Sequence, residues 1–511
     1  MERMNTLDAG FYYVEHDNVP MHIGLVAVFE GPAPSPAELT GLFEAKLPLV
    51  PRYRQVVRTT PLNIFRPMWI DDEHFEVTYH LRHVAVPAPG GDEELRALAA
   101  RLLAQRLDRS RPLWEEWFAE GLKNGRWAII SKVHHCMVDG MGGTDLMGLV
   151  FDTERDAKRQ APASWQARPA PAVASLVLGG SADLVTWPVR QLAALPGLLK
   201  RSGVLGNLLD YGRGLSHSAR QLAEPSATFL NGPIGPHRRW AWTTASLAEL
   251  KQIRKANGGT VNDVMLAAIT SAFRHLLIQR AKLTQGLVVR TLVPVSVRSQ
   301  NEHAAVTNRL TAVLVNLPVS EPDPVRRLAL IREQTDSLKH THQAVSAEIL
   351  TSMLGFTAPT WLALGLRAAF TAPQPLIQAL ATNIPGPRSP LYILGRQMKA
   401  AYPYAPIASS TRISIAIFSY LDTVTFGVTA DYTSVPDVDV LIRGIGRGLA
   451  ELHGLAGRQD QPAPPHKQPA RPQRQATATR QPSKPKPRQP APTTARARHG
   501  NTPGGRADRS G

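Results

Sequence analysis

Residues 127–140 read WAIISKVHHCMVDG, an apolar run ending in two histidines, the only cysteine of the chain and an Asp-Gly pair. Such a run, bounded by a turn signal, predicts a strand. In an extended chain Ile129, Ser131, Val133 and His135 share one face, while Ala128, Ile130, Lys132 and His134 share the other. The paired histidines therefore point opposite ways. Four readings of the stretch compete at the outset: a metal site, a cysteine nucleophile, a general base, or only a packed turn.

The spacing weighs against the first two. Adjacent strand residues are poor co-ligands for one metal ion and no HxxxH or HExxH spacing occurs, so no metal is expected. If the strand continues, Cys136 faces away from His135, which spoils a Cys–His pair unless the chain turns. An inert buried thiol is the expectation. What remains is an imidazole whose pKa near neutrality suits it to accept an alcohol proton. Asp139 lies too close in sequence to be assumed the orienting partner of a triad, and a pairing with an arginine from elsewhere fits better. By its facing, His134 reads as a core histidine.

At 511 residues with 43% hydrophobic content, the chain can hold two or three domains with large cores. The net charge of +17 suggests nucleic acid at first sight, but its distribution does not. From Arg458 onward, twelve basic residues against Asp460 and Asp508 account for +10 of that charge. This end carries eleven prolines and no aromatic residue, so it cannot bury enough surface to fold. It reads as a solvated basic arm or a linker, and no specific nucleic-acid partner is expected. The single cysteine excludes an intramolecular disulfide and a multi-cysteine zinc site. Met1 to Gly10 lacks the basic and apolar regions of a secretory signal, so a cytoplasmic protein is expected. The uncharged stretch Ile349 to Leu366 approaches the length of a membrane span, but Pro359 and two glycines favour a buried or interfacial helix.

Along the chain, Met21 to Gly31 alternates like a strand, and Pro36 to Leu47 and Asp92 to Leu107 have helical spacing. Asn124-Gly125, between WFAEGL and WAIISKV, is a strong hairpin signal. Past Phe151 a charged, then Pro/Ala-rich stretch reads as a linker, followed by apolar helices over Val173 to Leu209. A second α/β region follows, with helices over Leu247 to Ala256 and after Asn262. Strands are expected at GLVVRTLVPVSVR, LTAVLVNLPV, RISIAIFSY and TVTFGVTADY. The division is 1–152 for a first domain, 153–223 for the linker and helices, 224–455 for a second domain and 456–511 for a disordered tail. Three familiar signatures fail on detail. GLSHS (214–218) lacks the final glycine of a nucleophile elbow. GIGRG (444–448) lacks the third-glycine spacing of a dinucleotide loop, and no GxxxxGK[ST] occurs.

HHxxxDG resembles the signature of the CoA-dependent acyltransferase superfamily, which includes chloramphenicol acetyltransferase and the condensation domains of peptide synthetases. The rest of the chain narrows the resemblance. LDRSRPLWE (107–115), NGPIGPHRR (231–239), TVNDVMLAAI (260–269), VPVSVRS (293–299), TNIPGPRSPLY (382–392) and SYLDTVTFGVTADYTSVPD (419–437) are similar, in the same order, to blocks of the bacterial wax ester synthase/diacylglycerol acyltransferase family. LDAGFYYVEHDNVPMHIG resembles that family's opening, and the match runs from about Asn5 to Leu455.

The resemblance implies an α/β fold of two chloramphenicol-acetyltransferase-like domains facing across a substrate tunnel. It implies acyl transfer from acyl-CoA, as substrate and with no cofactor, to diacylglycerol, giving triacylglycerol, with wax ester formation from long-chain alcohols as a side activity. His135 matches the family's proton acceptor. His134, Asp139 and Gly140 support the motif, and Arg298 is the candidate partner of Asp139. Asn262 and Asp263 match a pair taken to shape the active site, although an Asn-Asp at a helix start is also an ordinary cap. Peripheral association with the inner face of the plasma membrane or with lipid bodies is expected. Two alternatives stay open: transfer to a specialised hydroxylated lipid or glycolipid, and a non-catalytic lipid-surface protein of the same fold.

Overall fold

The computed structural model describes residues 2–60, 66–138, 150–157, 165–169, 224–296, 310–340, 376–407 and 410–459. Asp139, Gly140, Arg298, the apolar helices over Val173 to Leu209, the candidate span Ile349 to Leu366, GLSHS and the tail beyond Gln459 lie outside these residues. Met1–Gln461 form one compact unit.

Two six-stranded sheets organise that unit. Strand order in the first is β12 (Tyr392–Ile393), β13 (Arg396–Tyr404), β2 (His22–Phe29), β7 (Trp127–His134), β6 (Trp114–Glu120) and β5 (Leu81–Ala85). In the second it is β10 (Leu310–Leu317), β9 (Val289–Ser296), β11 (Ala379–Ile384), β14 (Ile413–Tyr420), β15 (Thr423–Asp431) and β8 (Arg238–Ser246). A small sheet joins β1 (Glu2–Arg3), β4 (Met68–Asp71) and β3 (Gln55–Arg58).

The alternation of WAIISKVH decides how the first sheet is packed. Ile129 and Val133 enter a core with Phe29, Trp114 and Phe118. Ala128 and Ile130, on the opposite face, pack in a second core with Leu95, Leu98 and Leu103 of the helix Asp92–Ala104. Both faces are covered, so the strand is apolar throughout rather than half polar. The β6–β7 hairpin turns at Asn124 and Gly125, both at φ 64°, the left-handed geometry that an Asn-Gly pair adopts at little cost.

The C-terminal region does not confine its strands to the second sheet. β13 pairs antiparallel with β2 in the first, with Tyr402 opposite Val26 and Tyr404 opposite Gly24. Its backbone presses against β15: a Cβ on Gly427 would collide with the carbonyl oxygen of Pro403, which also accepts a hydrogen bond from Trp240 Nε1 at 3.1 Å. Trp240, Trp242, Tyr402 and Tyr404 lie in the same core as the helix Asp92–Ala104, so one apolar layer ties the two sheets together.

Helix positions follow their caps. Ser35 caps Pro36–Lys46 in a capping box with Glu38, Ser246 caps Leu247–Asn257, and Thr260 caps Val261–Gln279. We name four helices: α1 (Thr6–Val14), α2 (Asp92–Ala104), α3 (Val261–Gln279) and α4 (Val438–Gln459). Among the described residues α3 alone is long and apolar enough to cross a membrane, yet most of it is buried in the core of the second sheet. GIGRG falls inside α4, where Gly444 and Gly448 lie against Ala272 and Ser271 of α3. Its glycines serve helix packing.

Candidate active site

β7 ends at His134 because that residue's own side chain turns the chain. His134 Nδ1 accepts the Cys136 N–H at 3.2 Å and so caps a 3-10 turn over His135–Met137. Backbone bonds fix both histidines: His134 N–H donates to Leu113 O at 2.9 Å and His135 N–H to Met21 O at 2.8 Å. Leu113 belongs to the PLW stretch, which is how that block reaches the motif. Pro112 supplies no donor, and Trp114 is anchored by its indole N–H on Tyr53 O at 2.8 Å.

The strand ends at His134 and His135 opens the turn, so the two imidazoles differ in burial although both lie near α1. His134 is completely buried, whereas His135 is half-buried and stacks on Phe11 of α1, ring centroids 3.9 Å apart. Burial holds the His134 pKa down at about 4, so it is neutral at pH 7. Cys136 turns toward His134. The turn brings its Sγ to 2.9 Å from His134 Nδ1, and burial pushes the thiol pKa well up, the reverse of what a nucleophile needs.

Behind His134 lies a residue that the motif does not contain. Glu15, at the C-terminal end of α1, has a fully buried carboxylate. Its Oε2 accepts from Arg109 Nε at 2.8 Å, with Arg106 Nη2 at 3.6 Å. Its Oε1 accepts from Met21 N–H at 3.1 Å and lies 3.7 Å from His134 Nε2. Burial works to raise the Glu15 pKa, but His134, Arg109 and the Met21 amide outweigh it and hold the carboxylate below its usual range. Arg109 also donates to Tyr12 O at 2.6 Å and covers the Tyr12 ring.

Asn262 and Asp263 occupy the first turn of α3 and divide their duties. Asp263 is buried and structural: it accepts from Thr260 N–H at 2.7 Å and Thr260 Oγ at 2.8 Å, and from Thr335 Oγ at 2.8 Å. Asn262 is half-buried and accepts from Asn383 Nδ2 at 3.4 Å, which links the ND stretch to the TNIPGP stretch on β11.

Glu15, Arg109 and Phe11 went unnoticed as site residues in the sequence. The available signal was their position inside LDAGFYYVEHDNVPMHIG and LDRSRPLWE, two blocks that carried likeness but no assigned role.

Comparison with known proteins fits this geometry. Residues 4–265 match the wax ester synthase/diacylglycerol acyltransferase catalytic domain, and residues 306–453 match the C-terminal domain of the same family. The chain belongs to the wax ester synthase/diacylglycerol acyltransferase family. It is 37% identical to the probable diacylglycerol O-acyltransferase tgs1 of Mycobacterium tuberculosis H37Rv over 466 residues, 90% of this chain and 97% of that one. A putative diacylglycerol O-acyltransferase of Mycobacterium bovis matches to the same extent. Among solved structures, the wax ester synthase/diacylglycerol acyltransferase from Marinobacter aquaeolei VT8 superposes with a TM-score of 0.62 at 25% identity, covering 89% of this chain and all of that one. The starter condensation domain of rhizomide synthetase aligns with a TM-score of 0.53 at 14% identity over 90% and 95% of the two chains, which shows a shared fold. In this family's α/β fold the histidine pair of the motif stands at the end of β7 in the first sheet, and the chain is an acyltransferase that uses acyl-CoA and an acyl acceptor.

Proposed function

We propose that the chain transfers the acyl group of an acyl-CoA to the free hydroxyl of diacylglycerol, making triacylglycerol, and that long-chain alcohols serve as second acceptors and yield wax esters. The observation that carries this reading is His135: a half-buried imidazole, fixed through its backbone by Met21 and through its ring by Phe11, at the end of a strand buried on both faces. Such a group can accept the acceptor's hydroxyl proton as the oxygen attacks the thioester carbonyl. The new C–O bond forms, the C–S bond breaks, and the imidazolium returns its proton to the departing CoA thiolate. No acyl-enzyme is required, and the buried thiol of Cys136 is ill placed to form one. Proton transfer of this kind calls on no cofactor.

Asn262 belongs to the same reading, as an amide beside the developing oxyanion, with Asn383 holding its carbonyl oxygen. Asp139 paired with Arg298 would hold the loop after the turn. Because the acceptor is a lipid, the enzyme works from the cytoplasm at the inner face of the plasma membrane or at the surface of lipid bodies.

Purified protein assayed with a panel of acyl-CoAs against diacylglycerol and long-chain alcohols tests the assignment. His135→Ala should lose at least about a hundredfold in kcat, as expected for removal of a general base, while Cys136→Ala keeps most of its activity. Full turnover by the His135→Ala protein rejects the base. A clear preference for a hydroxylated glycolipid over diacylglycerol rejects the acceptor.

A further inference from the structure

The motif histidine that does no chemistry in this reading is itself held from behind, and by an unusual partner. Completely buried His134 uses Nδ1 as an acceptor from the Cys136 N–H, so its proton sits on Nε2. Among the described residues Nε2 has no hydrogen-bond partner, and Oε1 of Glu15 stands 3.7 Å away, within electrostatic reach. Glu15 in turn is pinned by Arg109, Arg106 and the Met21 amide. Met21 is also the residue whose carbonyl holds the His135 N–H. A single carboxylate thus touches both supports of the turn: the imidazole that caps it and the residue that anchors its first backbone amide.

We propose that Glu15 is a positioning residue of acyl transfer, which acts through His134 and Met21 to set the 3-10 turn His135–Met137 and, with it, the ring of His135. The inference rests on the reading of His135 as general base. A buried anion suits the task because its strength against the His134 N–H falls slowly with distance, so it restrains the ring without a short bond. The groups facing it are Arg106 and Arg109 from the loop after α2, buried Lys132 from β7, His134 and Cys136 from the end of β7 and its turn, and Tyr12 from its own helix; Asp17 shares Arg106, and Asp8 and Arg52 face the cysteine. Arg109 ties the carboxylate back to α1 through Tyr12 O, so the helix that carries Phe11 and the carboxylate behind His134 move as one piece.

The test is steady-state kinetics over pH with Glu15→Gln, His134→Gln and their combination, beside thermal denaturation of each. Glu15→Gln should lower kcat about tenfold with KM for acyl-CoA within about twofold, since the ring is displaced while the substrate site is not. The double variant should be no worse than the poorer single one, because both losses run along one path. If Glu15→Gln does not fold, Glu15→Gln with Arg109→Gln replaces the buried pair by neutral groups of similar size and is measured instead. Turnover within twofold of the parent at every pH, or losses that multiply, or a loss in kcat that follows only the fraction unfolded, overturns the proposal. His135→Ala separates the two readings. If it is inactive while Glu15→Gln is normal, only this inference falls. If it is fully active, the base falls and nothing is left for Glu15 to position.

Discussion

The ring of Phe11 lies against that of His135, centroids 3.9 Å apart and planes inclined by 31°. An N-terminal helix of nine residues thereby reaches the end of β7 and limits the rotation of the imidazole. Ring contacts of this kind contribute about 0.5–1.5 kcal/mol. Phe11→Ala is expected to lower kcat by about two- to tenfold, and Phe11→Tyr to stay near the parent. Initial-rate kinetics on both variants checks this. An unchanged kcat in Phe11→Ala means that the ring is held without the contact.

Stability should fall at both ends of the pH scale, because burial keeps two bases neutral at one end and an acid neutral at the other. Below pH 6.5 the unfolded chain binds a proton at His134 that the folded chain refuses until about pH 4, because burial disfavours the cation. His80 is held at about 4 by burial as well. Folding is therefore weakened as pH drops from 6.5 to 4, by up to about 3 kcal/mol for a shift of this size.

Glu116, completely buried with Ser131 Oγ at 2.6 Å, has its pKa raised by burial to about 8. It stays protonated in the fold after the unfolded chain has ionised near 4.5, so the stability it allows at low pH is lost as pH rises to about 8. Glu116→Gln should match the parent at pH 5 and exceed it by a few kcal/mol at pH 9. Urea denaturation at the two pH values measures the difference. Equal stability at pH 9 shows that the carboxyl ionises without cost.

Asp263 and Asn262 are neighbours with different tasks. Asp263→Ala breaks the capping box that Asp263 forms with Thr260 at the start of α3 and removes the bond from Thr335, and is expected to cost about 2 kcal/mol of stability. Asn262→Ala should lower kcat with a much smaller change in stability, because its described partner is the single long bond from Asn383. Denaturation and kinetics on the pair decide it, and the reverse pattern refutes the division.

The glycines of α4 are also unequal. A Cβ at Gly444 would meet Ala272 Cα at 2.5 Å and one at Gly448 would meet Ser271 Cβ at 2.5 Å, while Gly446 has nothing within 4 Å. Gly448→Leu should destabilise by about 2 kcal/mol or more through forced separation of α3 and α4. Gly446→Ala should gain up to about 1 kcal/mol from helix propensity. Thermal melts of both variants test the assignment.

Much of the fold was legible where the local pattern and the final environment agree. The strands at 289–296, 310–317, 413–420 and 423–431 and the helices at 92–104, 247–257 and 261–279 sit where the periodicity places them. β13 was not legible, because RQMKAAYPY has no clean alternation and its place in the first sheet depends on β2, 369 to 380 residues earlier in the chain. The helix at 6–14 and its carboxylate were missed for a related reason: Glu15 looks like any charged residue after a helix until Arg106, Arg109 and His134 close around it.

By itself, the sequence determined many of the elements and the family, because hydrophobic period and a set of ordered blocks are local properties of the chain. Tertiary structure alone decided that Cys136 turns to His134, that Asp263 is buried against Thr335 while Asn262 meets Asn383, and that Glu15 lies behind the motif. Each of these joins residues through space, and burial changes what their side chains can do. Isolated sequence carries no record of which charges lose their water together.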